Sequence, residues 1–173
     1  MPTTTDHSLE SFLIENQTRF YRLAYSYIKH PEDAMDAVQT AVCRAVERQG
    51  SLRNPGALRS WFYHILVNTC LDVLRQRGRT LPLSEWEEIG QEDPPPEDEA
   101  LLRQIDELPT AVATVIRLRF FEELSLKEIA AATGTNVNTV KSRLYAGLKK
   151  LRIAMEGENY EQIPVFPAGP RGL

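Results

Sequence analysis

The chain has 173 residues, 42% of them hydrophobic and 25% charged, with a formal net charge of −4. That balance belongs to a globular protein of one domain or two small ones. It excludes a bundle of membrane helices, because no apolar run approaches the roughly 20 residues that span a bilayer. The opening residues, MPTTTDHSLE, lack the basic start and apolar core of a secretion signal, so the expected compartment is the cytoplasm. Cys43 and Cys70 both fall in apolar helical patterns and are expected to be buried thiols, not a disulfide or a metal pair.

The first helix is expected where Phe20, Leu23, Ala24, Tyr27 and Ile28 recur at i, i+3, i+4, i+7 and i+8. A second opens on Pro31, with Glu32 and Asp33 in a first turn whose dipole favours anions. Its buried stripe is Ala34, Ala37, Val38, Ala41, Val42 and Ala45. Residues Gly50 to Asn54 break the pattern, and Asn54 then caps a third helix that starts at Pro55. Leu58, Trp61, Phe62, Ile65 and Leu66 give that helix its core face, and its pattern fades near Gly78.

Residues 81–99, LPLSEWEEIGQEDPPPEDE, hold the chain's triple proline, and from position 83 onward they carry 8 acidic side chains and no basic one. Prolines remove backbone donors and block helix while like charges repel, so residues 83–97 are expected to form an extended acidic linker. At about 3.3–3.6 Å per residue such a segment reaches roughly 50 Å, or about 15 base pairs of duplex at about 3.4 Å each. Two domains on this tether can touch separate sites on one DNA, although a plain spacer accounts equally well for the linker alone. Without the linker the balance changes sign: residues 1–82 are net +2 and residues 100–155 net +4, which suits polyanionic partners.

Four shorter helices follow. Leu101, Leu102, Ile105 and Leu108 mark one, closed by Pro109, and Val112, Val115 and Ile116 mark the next, to about Glu122. Ser125-Leu-Lys-Glu128 is a capping box that starts a short helix, Leu126 to Thr133. Gly134 ends it, and a last helix runs from Val137 to about Met155. No β pattern appears, so the expected fold class is all-α: two small helical domains, 1–82 and 98–155, joined by the linker. The tail 156–173, EGENYEQIPVFPAGPRGL, has no periodicity and is expected to be disordered, with IPVF available to a partner groove.

The stretch from Gly134 to Arg152 contains five Lys or Arg and no Asp or Glu. Ala130, Gly134 and Val140 stand where a helix-turn-helix needs a small residue, a positive φ and an apolar packing residue. Leu144, Leu148 and Leu151 continue the buried face of the second helix, leaving Asn138, Thr139, Lys141, Ser142, Arg143 and Tyr145 outward. Those side chains suit phosphates and base edges in a major groove. Lys149, Lys150 and Arg152 extend the cationic face, and an acid among them would repel phosphate. A solvated bundle face is the competing account, and the cap, the glycine and the single charge sign together favour duplex DNA.

The N-terminal half decides among the many regulators that carry such a motif. DAMDAVQTAVCRAVE, Asp33 to Glu47, resembles the region-two helix of bacterial sigma factors. LRSWFYHILVNTCLDVLRQRGR, Leu58 to Arg79, resembles that family's next helix, with Trp61, Asn68, Asp72 and Arg75 in place. LSLKEIAAATGTNVNTVKSRLYAGLKKLR resembles region four, including its T-V-K-S-R core. The three motifs in this order, joined by a linker, resemble the extracytoplasmic function (ECF) group of the sigma-70 family over residues 12–155.

The resemblance implies a specificity subunit of RNA polymerase, not an enzyme, with no cofactor and no metal. Its implied partners are core RNA polymerase (β′ clamp and β flap), promoter DNA and a membrane-anchored anti-sigma factor that responds to envelope stress. Asp33, Asp36 and Gln39 would face the polymerase clamp. Arg53 and Asn54 in the loop SLRNP would capture a flipped −10 base, and Trp61, Asn68, Asp72 and Arg75 would continue that site, followed by Arg77 and Arg79. Trp61, Phe62 and Tyr63 could stack on melted bases, but Trp61 and Phe62 also sit at core spacing. On the −35 element, Lys141, Ser142 and Tyr145 would meet bases and Arg143 and Lys149 phosphate, beside Asn138 and Thr139. Asn138, often glycine in the family, and Ala146, often arginine, depart from the common pattern. The acidic linker would thread the polymerase cleft and RNA exit path.

Two other classes are open to the sequence. A helix-turn-helix regulator would bind duplex without polymerase. An enzyme is disfavoured, because His7, His30 and His64 are scattered and no nucleophile–base spacing or glycine-rich phosphate loop is evident.

Overall fold

A computed structural model describes residues 4–80 and 99–155. All regular structure among the described residues is helical. The α-helices are α1 (Thr4–Glu15), α2 (Gln17–Ile28), α3 (Pro31–Arg48), α4 (Leu58–Thr80), α5 (Glu99–Asp106), α6 (Thr110–Phe120), α7 (Leu126–Thr133) and α8 (Val137–Met155). Two 3₁₀ turns, Gln49–Ser51 and Pro55–Ala57, join α3 to α4. The chain splits into two compact units, one carrying α1–α4 and the other the body of α5–α8. The acidic linker 83–97 and the tail 156–173 lie outside the described residues.

In the first unit α2, α3 and α4 pack on one another. Phe20, Leu23, Ala24 and Ile28 form the buried face of α2, at the spacing the sequence shows. The stripe Ala34, Ala37, Ala41 and Ala45 is buried and small, so α3 meets its neighbours with little side chain between them. Phe62, Tyr63, Leu66 and Cys70 complete the core from α4. Four rings hold three helices together: Phe20 and Phe62 stand 4.5 Å apart, Phe12 lies 5.4 Å from Phe20, and Tyr63 meets Phe20 edge-on at 5.7 Å. These are favourable offsets for aromatic pairs.

Helix α1 is an addition to the sequence reading. Leu9 and Leu13 are buried and Phe12 joins the aromatic cluster, whereas Ile14 points outward. Three inward residues over about one turn left little periodicity to see. The third expected helix begins at Leu58 and not at Pro55, because Pro55–Ala57 is a 3₁₀ turn, and Asn54 Oδ1 caps that turn by accepting from the Gly56 N–H at 3.0 Å. Val42 is only half-buried and Cys43 is exposed. At about 100° per residue Cys43 lies nearly opposite Ala41, so it leaves the alanine stripe. Only Cys70 is the buried thiol the sequence suggested for both.

The joints are locally specified. Lys29 ends α2 at φ 58°, its N–H donating to the Tyr25 carbonyl, and His30 Nδ1 accepts from the Asp33 N–H at 3.3 Å to start α3. Arg77 closes the same corner from α4. Its Nη1 donates to the Ile28 carbonyl at 2.7 Å and its Nη2 to Asp33 Oδ2 at 2.6 Å.

In the second unit α5 and α6 pack against α8. Ile105, Leu108, Val115, Ile116, Leu118, Leu124, Ile129, Val140 and Leu151 are its buried core, with Leu148 half-buried at the margin. Buried Arg117 ties α6 to α5 by donating to Asp106 Oδ1 at 2.6 Å. Gly147 lies inside α8, and a Cβ there would sit 2.9 Å from both Ile116 Cγ1 and Val112 Cγ1. The glycine lets α8 approach α6 closely.

Candidate nucleic-acid interface

The turn between α7 and α8 is closed by side chains near it in sequence. Ser125 Oγ accepts from the Glu128 N–H at 3.1 Å while Glu128 Oε1 accepts from the Ser125 N–H at 3.0 Å, both halves of a capping box. Gly134 takes φ 67°, a left-handed conformation that costs glycine little, and its N–H donates to the Ala130 carbonyl. Asn136 Oδ1 then accepts from the Thr139 N–H at 2.8 Å and starts α8. The sequence predicted this joint residue by residue apart from the Asn136 cap.

Val140, Leu144, Gly147 and Leu151 face inward on α8. At about 100° per residue, Asn138, Ser142, Tyr145 and Lys149 share the middle of the outward face, and all four are exposed. Lys141 and Arg143 are half-buried on opposite edges, and Thr139 is half-buried beside Arg143. Lys150 and Arg152 are exposed. The surface is cationic with hydroxyl, amide and phenol groups at its centre, a composition suited to phosphate and to base edges.

A second polar face runs along α4. Trp61, His64, Asn68, Asp72 and Arg75 follow one another at helical spacing, each exposed or half-buried. Trp61 Nε1 donates to Ser51 Oγ at 3.2 Å, which ties the ring to the loop bearing exposed Arg53 and Asn54. Asn68 Nδ2 lies 3.1 Å from His64 Nε2, so His64 belongs to the face, a role that its isolated place in the sequence does not signal. Asp72 sits between two guanidinium groups, Arg44 Nη1 at 3.2 Å and Arg75 Nη2 at 3.3 Å.

Several expected members are elsewhere. Phe62 and Tyr63 are buried in the aromatic core and offer no surface for a base. Arg77 turns away to Ile28 and Asp33, with its side chain only 12% exposed. The Arg79 side chain lies outside the described residues.

On α3, Asp36 and Gln39 are exposed, whereas Asp33 is half-buried and engaged by Arg77. Glu32, Met35, Cys43 and Val46 are exposed on the same side as Asp36 and Gln39. The sequence reading named only the polar members. The apolar ones were legible as the residues left over once the alanine stripe is assigned inward.

No helix among the described residues is long and apolar enough to cross a membrane, and no group of His, Cys, Asp or Glu among them could hold a metal ion.

Among the described residues, an all-helical architecture with a capped helix-turn-helix, a cationic outward helix and a polar stripe on the other unit has the form of a DNA-binding transcription factor. Residues 13–80 match Sigma-70 region 2 and residues 98–151 match Sigma-70, region 4. The chain is 42% identical to the RNA polymerase sigma factor SigV of Bacillus subtilis over 160 residues, covering 90% of this chain and 96% of that one. It is 32% identical to the ECF RNA polymerase sigma factor SigE of Mycolicibacterium smegmatis, over 84% of this chain and 60% of that protein. Among solved structures it resembles the sigma factor RpoE of Bartonella quintana, crystallised with the anti-sigma factor NepR, at TM-score 0.66 and 20% identity over 87% of this chain and 99% of that one. It resembles CnrH, solved with the cytosolic domain of CnrY, with the same TM-score and identity, over 87% of this chain and 89% of that one. The chain belongs to the sigma-70 family of RNA polymerase sigma factors, in its ECF group. It is thus a transcription initiation factor that binds core RNA polymerase and promoter DNA, and not an enzyme.

Proposed function

We propose that the three outward faces divide the work of initiation. The band on α3 with Asp36 and Gln39, supported by Asp33, docks on the polymerase clamp. The α4 face, with Trp61, Asn68, Asp72 and Arg75 and the adjoining loop residues Arg53 and Asn54, holds the opened −10 strand. Helix α8 reads the −35 duplex through Asn138, Ser142, Tyr145 and Lys149, with Thr139, Lys141 and Arg143 at its edges. The two DNA-reading modules correspond to residues 1–82 and 98–155, joined by the acidic linker 83–97. One observation carries this reading: the α8 face is exposed, one-signed and free of acids, while the α4 face mixes amide, carboxylate, guanidinium and indole.

The chemistry agrees with those tasks. Duplex binding is dominated by phosphate neutralisation, which a cationic helix supplies. Capturing a flipped base costs a few kcal/mol of unstacking, and each base–aromatic stack returns about 1–3 kcal/mol. A handful of contacts can then bias opening without a nucleotide cofactor. The RpoE structure holds an anti-sigma factor, which supports control of this chain by such a factor, and the signal we assign to that control is envelope stress. The cytoplasm is the compartment in which such a factor meets polymerase and DNA.

The test is run-off transcription with purified core polymerase on genomic fragments. Initiation at discrete sites is expected. Lys141→Ala should weaken −35 duplex binding, and Asn68→Ala should leave it intact while impairing strand opening. Equal loss of opening in both variants with unchanged duplex affinity would refute the division of labour. A regulator acting without polymerase would bind duplex and never initiate.

A further inference from the structure

The α4 face contains an ionic relay that begins on α3. Arg44 Nη1 donates to Thr69 Oγ1 at 2.9 Å and to Asp72 Oδ2 at 3.2 Å. The Thr69 hydroxyl donates onward to the Ile65 carbonyl at 2.7 Å, so it is fixed and buried. The other Asp72 oxygen, Oδ1, lies 3.3 Å from Arg75 Nη2. Each carboxylate oxygen of Asp72 therefore serves a guanidinium, one from each helix.

The two arginines differ in what they leave available. Arg44 is 34% exposed and turned onto α4. Arg75 is 64% exposed and uses one nitrogen on Asp72, which leaves further donors of its planar fork for a phosphate or a base edge. Asp72 has both oxygens engaged, and bare negative charge facing a phosphate is repulsive. Its two oxygens are each drawn to one guanidinium, which offsets that charge and fixes the carboxylate between the two arginines. An unanchored Arg side chain carries about 2 kcal/mol of rotamer entropy, and restricting it before the ligand arrives lowers the cost of ordering it on binding.

We propose that Arg44 and Asp72 are positioning residues that act through Arg75, holding its guanidinium toward the opened −10 strand. This inference rests on the reading of the α4 face as the −10 strand site. It carries the relay across two helices, from the polymerase-facing α3 to the strand-facing side of α4.

The test uses holoenzyme reconstituted from core polymerase and the full chain. The probe is a fluorescent single strand taken from the non-template −10 region of a promoter at which the wild type initiates. Asp72→Asn, Arg75→Ala and the double variant are compared. Because the groups are partly solvated, Asp72→Asn is expected to weaken capture by about three- to tenfold, which is about 0.6–1.4 kcal/mol. Arg75→Ala is expected to weaken it at least as much, and the double variant no more than Arg75→Ala alone. Arg44→Lys, which keeps the charge but cannot bridge Thr69 and Asp72 together, should give a smaller loss that likewise vanishes in the Arg75→Ala background.

Losses that multiply in the double variant would mean that Asp72 touches DNA itself, and would overturn the proposal alone. Arg75→Ala without any loss would overturn the strand-site reading beneath it. Duplex binding at −35 serves as the structural control. If Asp72→Asn weakens it as much as it weakens strand capture, Asp72 is merely holding the fold and the proposal fails.

Discussion

Replacing Gly147 by alanine sets two effects of opposite sign against each other. In the interior of an exposed helix, alanine is favoured over glycine by about 0.8–1 kcal/mol. At this position the added Cβ would lie 2.9 Å from Ile116 Cγ1, 2.9 Å from Val112 Cγ1 and 3.0 Å from Ile116 Cδ1. Val112 and Ile116 are β-branched and stiff at χ1, so they cannot swing aside without moving backbone. Overpacking of this kind costs typically about 1–3 kcal/mol, and the net expectation is destabilisation by about 1 kcal/mol. In a unit of this size that lowers the midpoint of thermal unfolding by about 4–8 °C. The assay is thermal and urea unfolding of the full chain, with the −35 duplex as a second probe, since α8 must shift to admit the methyl. Val112→Ala removes one of the opposing carbons, so it should hurt the Gly147→Ala background less than the wild type. An increase in stability of about 1 kcal/mol on Gly147→Ala, as helix propensity alone demands, would refute the close-approach argument.

Other outcomes follow from the same geometry. Cys43 should react with a thiol reagent in the free folded chain while Cys70 reacts only on unfolding, and core polymerase should protect Cys43 if the exposed band of α3 is the docking face; mass spectrometry of the labelled protein decides. Arg77→Ala should cost about 1–2 kcal/mol in urea unfolding, the scale of charge-assisted hydrogen bonds reduced because Asp33 is 44% exposed. It should leave −10 strand capture by folded holoenzyme unchanged, and a selective loss of capture would place Arg77 on DNA after all. Lys149→Ala should reduce the salt slope of −35 duplex binding by about 0.9, the value for one phosphate contact, while Ile153→Ser on the same helix leaves the slope unchanged.

Where structure is set by neighbours in sequence, the chain was readable. Ser125, Glu128, Gly134 and Val140 span one turn and its flanks, and their spacing alone specifies both the joint and the orientation of the cationic face. The periodic face of α2 was equally plain, as was the alanine stripe of α3, although Val42 and Cys43 beside it are less buried than expected. Legibility ended where partners are distant in sequence. Arg77 looked like a continuation of the α4 face until its guanidinium was found on Asp33, 44 positions away. Asp72 looked like a free acceptor until Arg44 was found 28 positions away. Phe62 and Tyr63 offered aromatic surface on paper, but the rings of Phe12 and Phe20 already occupy it. Helix α1 shows little in the sequence because Leu9, Phe12 and Leu13 face inward over about one turn, and the rings Phe12 meets lie on other helices.

The capped joint before α8 also bears on how such a protein changes over generations. Its geometry is held by the Ser125–Glu128 box, the Gly134 conformation and the Asn136 cap, while Asn138, Ser142, Tyr145 and Lys149 lie outside the core. On the proposed reading of α8, scaffold and lettering are carried by different positions. A lineage would then rewrite the outer letters one at a time, retuning which genes answer to it, while the frame on which they are printed stays as it is.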